Sequence, residues 1–198
     1  MQANHVLFTF IAVFAIVAAQ TPFEISLFFG NYKIQWEVVA SEGTKAVRVT
    51  QTFKGNAWMG VGWHQVNSTG QPFHGMTACD FVVATFDSNG QPAIQDMFSN
   101  DSYANGFTRP VPDSALGGVD NIKLISGLQS DGVSTVTWER PLVTDDTKAD
   151  WPLVDDMMHI DYAHGMQNSL SYHGLANRGD NYMVNWVSGE VKKCAVGC

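Results

Sequence analysis

Apolar and polar residues alternate with a period of two along most of the chain. Tyr32, Ile34, Trp36 and Val38 are separated by Lys33, Gln35 and Glu37; Val47, Val49 and Phe53 are interleaved with Arg48 and Thr50; Val136 and Trp138 sit between Thr135, Thr137 and Glu139. Successive side chains of an extended backbone leave opposite faces, so each segment predicts a half-buried strand. Further apolar runs at 57–63, 80–86, 92–98, 121–126, 157–163 and 182–187 bring the expected total to nine or ten strands. Turn signals such as Ser88-Asn89-Gly90, Gly117-Gly118 and Ser130-Asp131-Gly132 fall between them, and helical periodicity is nearly absent. The pattern predicts an all-β chain, a two-sheet antiparallel β-sandwich, with no internal repeat and no domain linker.

Composition narrows the function. Hydrophobic residues make up 45% of the 198 residues and charged ones 15%, too apolar for a disordered chain. Eleven Lys and Arg against nineteen Asp and Glu give a net charge of −8, which repels phosphate backbones and excludes a nucleic-acid binder. Residues 6–18 form an apolar run too short for a bilayer span, with small Val17 and Ala19 placed for cleavage before Gln20. The expectation is a signal peptide over 1–19, a domain over 20–190, a Cys-containing tail over 191–198, and export from the cell. The head of the run, Met1 to His5, carries no Lys or Arg, so an uncleaved anchor is the alternative. Sequons at Asn67 and Asn100 mark a glycoprotein if the exporting cell glycosylates. The three cysteines are an odd set: Cys194 with Cys198 is the favoured bridge and Cys79 the buried thiol, with a bridge from Cys79 to the tail as the rival.

Several chemistries lack their residues. His159 and His164 are five apart in one strand and leave opposite faces, so that pair does not hold zinc. His64 and His74 flank a loop without a third ligand of clear spacing, which argues against a copper oxygenase centre. There is no Gly-x-Ser-x-Gly elbow, Gly-rich phosphate loop or Cys-x-x-Cys-His element. The acidic pairs Asp145-Asp146 and Asp155-Asp156 lie in turn-like sequence and are at most a calcium site. No catalytic residues emerge.

Two loop segments stand out. His74-Gly75-Met76-Thr77-Ala78-Cys79-Asp80-Phe81-Val82-Val83 places a methionine just before an apolar strand, and Ser171-Tyr172-His173-Gly174-Leu175-Ala176-Asn177-Arg178-Gly179 precedes the last long one. With Ala57-Trp58-Met59-Gly60-Val61-Gly62, Gln95-Asp96-Met97-Phe98-Ser99 and Trp138-Glu139-Arg140-Pro141-Leu142, they follow one another as in the DOMON family, which the sequence resembles over roughly residues 30–187. The family includes dopamine β-monooxygenase relatives and the cytochrome part of cellobiose dehydrogenase.

The resemblance implies an immunoglobulin-like sandwich and, in haem-binding members, a non-covalent b-type haem held by a Met and a His from opposite loops. Those positions match Met76 and His173; Met59 and His164 are reserve ligands lying in apparent strands. A thioether and an imidazole fill both axial positions and favour one-electron transfer over oxygen chemistry. The pocket wall is expected from Trp58, Trp63, Phe73, Phe81 and Tyr172. Arg178 either meets a haem propionate or pairs with a surface carboxylate. The implied role is a secreted b-type electron carrier whose partner is a separate redox protein or membrane cytochrome. The alternatives are a sugar- or small-ligand-binding module, with Trp63 and Trp151 stacking on a glycan, and an adhesion component joined through its terminal cysteines.

Overall fold

A computed structural model describes residues 21–64, 75–99 and 110–194. The leader segment, both sequons, Phe73, His74 and Cys198 lie outside them. Among the described residues the alternation resolves into twelve strands: β1 (Phe23–Leu27), β2 (Tyr32–Ser41), β3 (Thr44–Phe53), β4 (Met59–His64), β5 (Cys79–Phe86), β6 (Pro92–Ser99), β7 (Val111–Pro112), β8 (Lys123–Ser130), β9 (Val133–Pro141), β10 (Met158–His164), β11 (Arg178–Val184) and β12 (Val191–Lys193). They form a five-stranded sheet ordered β1-β2-β3-β9-β8 and a seven-stranded sheet ordered β12-β11-β10-β4-β5-β6-β7. All neighbours pair antiparallel, so the expected two-sheet sandwich is what forms. No helix of the described residues is long and apolar enough to cross a membrane.

Strand limits follow the sequence pattern closely where one face is buried. They depart from it at β8, which begins two residues later than expected and runs on to Ser130, because this edge strand leaves Leu124, Ile125 and Leu128 exposed and carries no alternating signal. The Asp131-Gly132 turn predicted from sequence closes the β8–β9 hairpin with φ of 53° and 76°, the left-handed pair that suits strand twist. β11 begins at Arg178 rather than near Tyr182, since Arg178 pairs with Ala163 before the apolar part of the strand is reached.

The inner faces meet in an aromatic core. Trp36, Trp63, Trp138 and Trp186 are all fully buried, with ring centroids 5.4 Å apart for Trp36–Trp186, 5.9 Å for Trp63–Trp186 and 6.4 Å for Trp63–Trp138. At one end of this core Arg140 of β9 crosses between the sheets. Its Nη2 lies 2.9 Å from Asp80 Oδ2 of β5, 3.1 Å from Asp150 Oδ1 and 3.1 Å from the Trp151 carbonyl, and its guanidinium sits 5.0 Å from the Trp63 ring centroid. Two further acids are buried close by. Asp96 accepts the Asn121 N–H at 2.8 Å, whereas neither carboxyl oxygen of Asp113 has a hydrogen-bond partner. Burial pushes Asp96 up to about 7, and burial followed by repulsion from Asp96 and Asp150 pushes Asp113 up to about 8. The other acids hold loops: Asp146 accepts N–H groups from Val119, Lys148 and Ala149, and Asp155 accepts Asn185 Nδ2–H. Neither acidic pair that the sequence offered to calcium forms a cluster of metal-ligating groups among the described residues. Cys79 is a free buried thiol and Cys194 is disulfide-bonded, which removes the bridge from Cys79 to the tail.

Two outcomes follow from this network. Arg140→Met leaves Asp80 and Asp150 buried without their cation, and urea unfolding at pH 7 should show a loss of about 3–5 kcal/mol. Asp96 and Asp113 keep protons in the folded chain that the unfolded chain loses above its ordinary carboxyl pKa. Stability from these groups is therefore greatest below about pH 4 and falls as pH rises from there through about 7 to 8. Thermal melts across that window should show the decline, and Asp96→Asn should flatten it.

Candidate functional site

The seven-stranded sheet buries side chains on both faces. On β4, Met59, Val61 and Trp63 enter the inner core, while Trp58, Gly60, Gly62 and His64 take the outer side. The register carries the outer side across the sheet: Ala163 of β10 pairs with Gly60, which pairs with Val83 of β5; Asp161 pairs with Gly62, which pairs with Phe81, which pairs with Met97 of β6. Trp58, Cys79, Phe81, Val83 and Met97 form a second, smaller core there, none of them more than 7% exposed. Glycine is required at 62, because a Cβ would lie 2.3 Å from the Phe81 ring and 2.7 Å from Cys79 Sγ. An outer sheet face is ordinarily solvated. This one is sealed and apolar.

Met76 and His173 both border this second core. Met76 packs against it, in a loop whose Ala78 sits at φ 47°, a left-handed conformation that is costly for alanine. Three contacts hold that loop: Ser99 Oγ–H donates to the Met76 carbonyl, Trp151 Nε1–H to the Ala78 carbonyl at 2.7 Å, and the Trp151 backbone N–H to Asp80 Oδ2 at 3.0 Å. On the other side, Trp58 anchors the segment that carries His173: its N–H donates to the Gln167 carbonyl, its carbonyl accepts the Gly165 N–H at 2.9 Å, and its indole N–H reaches Ser171 Oγ at 3.4 Å. The His173 ring is 8% exposed and its centroid lies 6.4 Å from that of Trp58. Its Nδ1 lies 2.6 Å from the Gly174 carbonyl, which can only accept; Nδ1 therefore carries the proton and Nε2 keeps a free lone pair.

Of the expected pocket wall, Trp58 and Phe81 lie in the second core, and Tyr172, 65% exposed, has its ring 4.9 Å from His173. Arg178 is exposed and pairs with Ala163 at the start of β11. Trp63 does not belong with them. Its odd position on β4 turns it to the inner core, separated from Met76 and His173 by the sheet itself. The reserve ligands Met59 and His164 also face inward, paired in register, with the His164 ring stacked on Phe53 at 4.1 Å. Burial lowers the His164 pKa, against the pull of its bond to the Gly165 carbonyl. Two shallow clefts on the five-stranded sheet, at Ser41–Glu139 and Gln35–Arg48, contain none of these residues.

One cluster escaped the sequence. His159 and His164 do leave opposite faces, but antiparallel pairing of β10 with β4 sets His159 directly against His64, 95 residues away. His159 Nδ1 and His64 Nε2 are 2.7 Å apart, and Asp161 Oδ2 lies 3.8 Å from His64 Nε2. All three residues are buried. Outward-facing histidines in two strands of one sheet were the signal available, and it becomes specific only once strand neighbours are known.

Comparison with known proteins settles the family. The DOMON domain matches residues 29–165, well over half of the chain. The chain belongs to the DOMON family. An Arabidopsis thaliana cytochrome b561, DM13 and DOMON domain-containing protein is 29% identical over 151 residues, 67% of this chain. The chain spans 16% of that relative's length. The DOMON match includes Met76 and stops before Tyr172, His173 and Arg178.

The strained turn gives a test of how tightly Met76 is held. Ala78→Val puts a branched side chain at a buried left-handed position and should cost about 1–3 kcal/mol in denaturant unfolding, while Ala78→Gly should be neutral or stabilising.

Proposed function

We propose that this DOMON domain is a secreted b-type haem protein that transfers single electrons. Family membership and the cytochrome b561 relative fit a redox or ligand-binding module. The observation that favours haem is that Met76 and His173, from loops on opposite sides in sequence, border one sealed apolar core on the same sheet face. The residues fit the group on three counts. Trp58, Phe81, Val83 and Met97 offer a water-excluding surface. The Met76 thioether is uncharged and buried in part. The His173 tautomer, fixed by the Gly174 carbonyl, presents Nε2 as the ligand atom.

Bound haem supplies reversible one-electron chemistry. The chain's own residues do the rest. Trp58 and the 165–171 backbone fix the approach of His173; Ser99 and Trp151 fix the loop that carries Met76; exposed Arg178 would meet a haem propionate. The partner would be a separate redox protein or membrane cytochrome, and the apolar segment 6–18 would direct export. The sugar-binding reading loses a main support, because Trp63 is fully buried and Trp151 uses its indole N–H on the Ala78 carbonyl.

Absorption spectroscopy of the exported protein, with hemin added, is the test. Wild type should show a Soret band with sharp reduced-state bands, and Met76→Ala or His173→Ala should shift it and weaken hemin retention about tenfold or more, since even outer-shell changes at metal sites cost about 10–100-fold. No Soret band after hemin addition, or a band indifferent to both substitutions, would overturn the proposal.

A further inference from the structure

The His64, His159 and Asp161 side chains lie on the outer face of two central strands, and the haem reading makes no use of them. Their ligand atoms all fall within 4.8 Å of one another. Two features make this more than a chance cluster. First, His159 Nε2 contacts the Asp180 carbonyl, so Nε2 carries the proton and Nδ1 turns a lone pair toward His64. A backbone carbonyl fixing the far ring nitrogen is the usual way a metal-ligating imidazole is oriented. Second, Asp161 is 6% exposed and its Oδ2, the oxygen nearest His64, accepts no hydrogen bond. A buried carboxylate oxygen left without a donor is costly, and a cation is what would satisfy it.

We propose that His64, His159 and Asp161 form a three-residue binding site for a divalent transition metal of the zinc class. Two imidazoles and a carboxylate suit zinc, whereas calcium and magnesium take oxygen sets. The spacing also fits. Ligand atoms around a tetrahedral ion with bonds of about 2.0–2.1 Å stand about 3.3 Å apart, and the observed 2.7 Å and 3.8 Å fall on either side of that value. All three residues belong to the adjacent strands β10 and β4, so the ion would staple the middle of the sheet beside the second core.

The test uses the full chain, stripped with chelator and free of haem, so that zinc uptake is read independently of hemin binding. Calorimetric titration with Zn2+ should give one equivalent bound and a raised melting temperature. Asp161→Asn and His64→Gln should each weaken binding at least tenfold. Co2+ in the wild-type protein should give the intense visible bands of a tetrahedral site; this measurement stands even if a substituted chain fails to fold. Absence of stoichiometric Zn2+ binding by wild type, equal binding in both substituted chains, or a weak octahedral Co2+ spectrum would overturn the site.

Discussion

The Arg140–Asp80 ion pair is the point from which the rest of the arrangement hangs. It joins β9 of one sheet to β5 of the other beside a core rich in tryptophan, and both side chains are fully buried. A desolvated guanidinium is tolerated only with close partners, and here Nη2 meets Asp80, Asp150 and the Trp151 carbonyl while the group lies over the Trp63 ring. The same Asp80 oxygen accepts the Trp151 N–H, and the Trp151 indole holds the strained Ala78. Packing between the sheets is thereby transmitted to the loop that carries Met76.

The seven-stranded sheet then acts as a partition. Its inner face does the work of folding, through Met59, Val61, Trp63, Ile160 and Tyr162. Its outer face carries the candidate groups: an apolar core bordered by a thioether and an imidazole, and beside it a buried cluster of two imidazoles and a carboxylate. Because neighbouring positions on a strand serve opposite faces, one short segment, Trp58 to His64, contributes to both.

Much of this could be read from the chain. The strands with one buried face were legible because burial imposes alternation, and the Asp131-Gly132 hairpin because its backbone geometry restricts the residues. Met76 and His173 were legible through motif order, not through spacing, since nothing in the 96 intervening residues reveals that both loops reach one face. Trp63 lies on the opposite face from Trp58, as parity dictates: the two differ by an odd number of residues. The His64–His159 contact was out of reach for a different reason. Histidines were weighed against neighbours in sequence, whereas the decisive fact, that β10 lies beside β4, is a property of sheet order and leaves no local trace.

The outer face has a cost that bears on what it is for. Glycine inside a strand loses about 0.5–1 kcal/mol relative to alanine, and β4 carries two on that side, Gly60 and Gly62. Burying His64, His159 and Asp161 together adds desolvation that an apolar trio of similar volume would avoid. Neither feature strengthens the sandwich, whose inner core is complete without them. The two glycines let Phe81, Cys79, Val83 and Trp58 lie close against β4, so the small outer core is built on them. The buried trio beside it has no such packing reason, and it is the part of this face that folding alone does not account for.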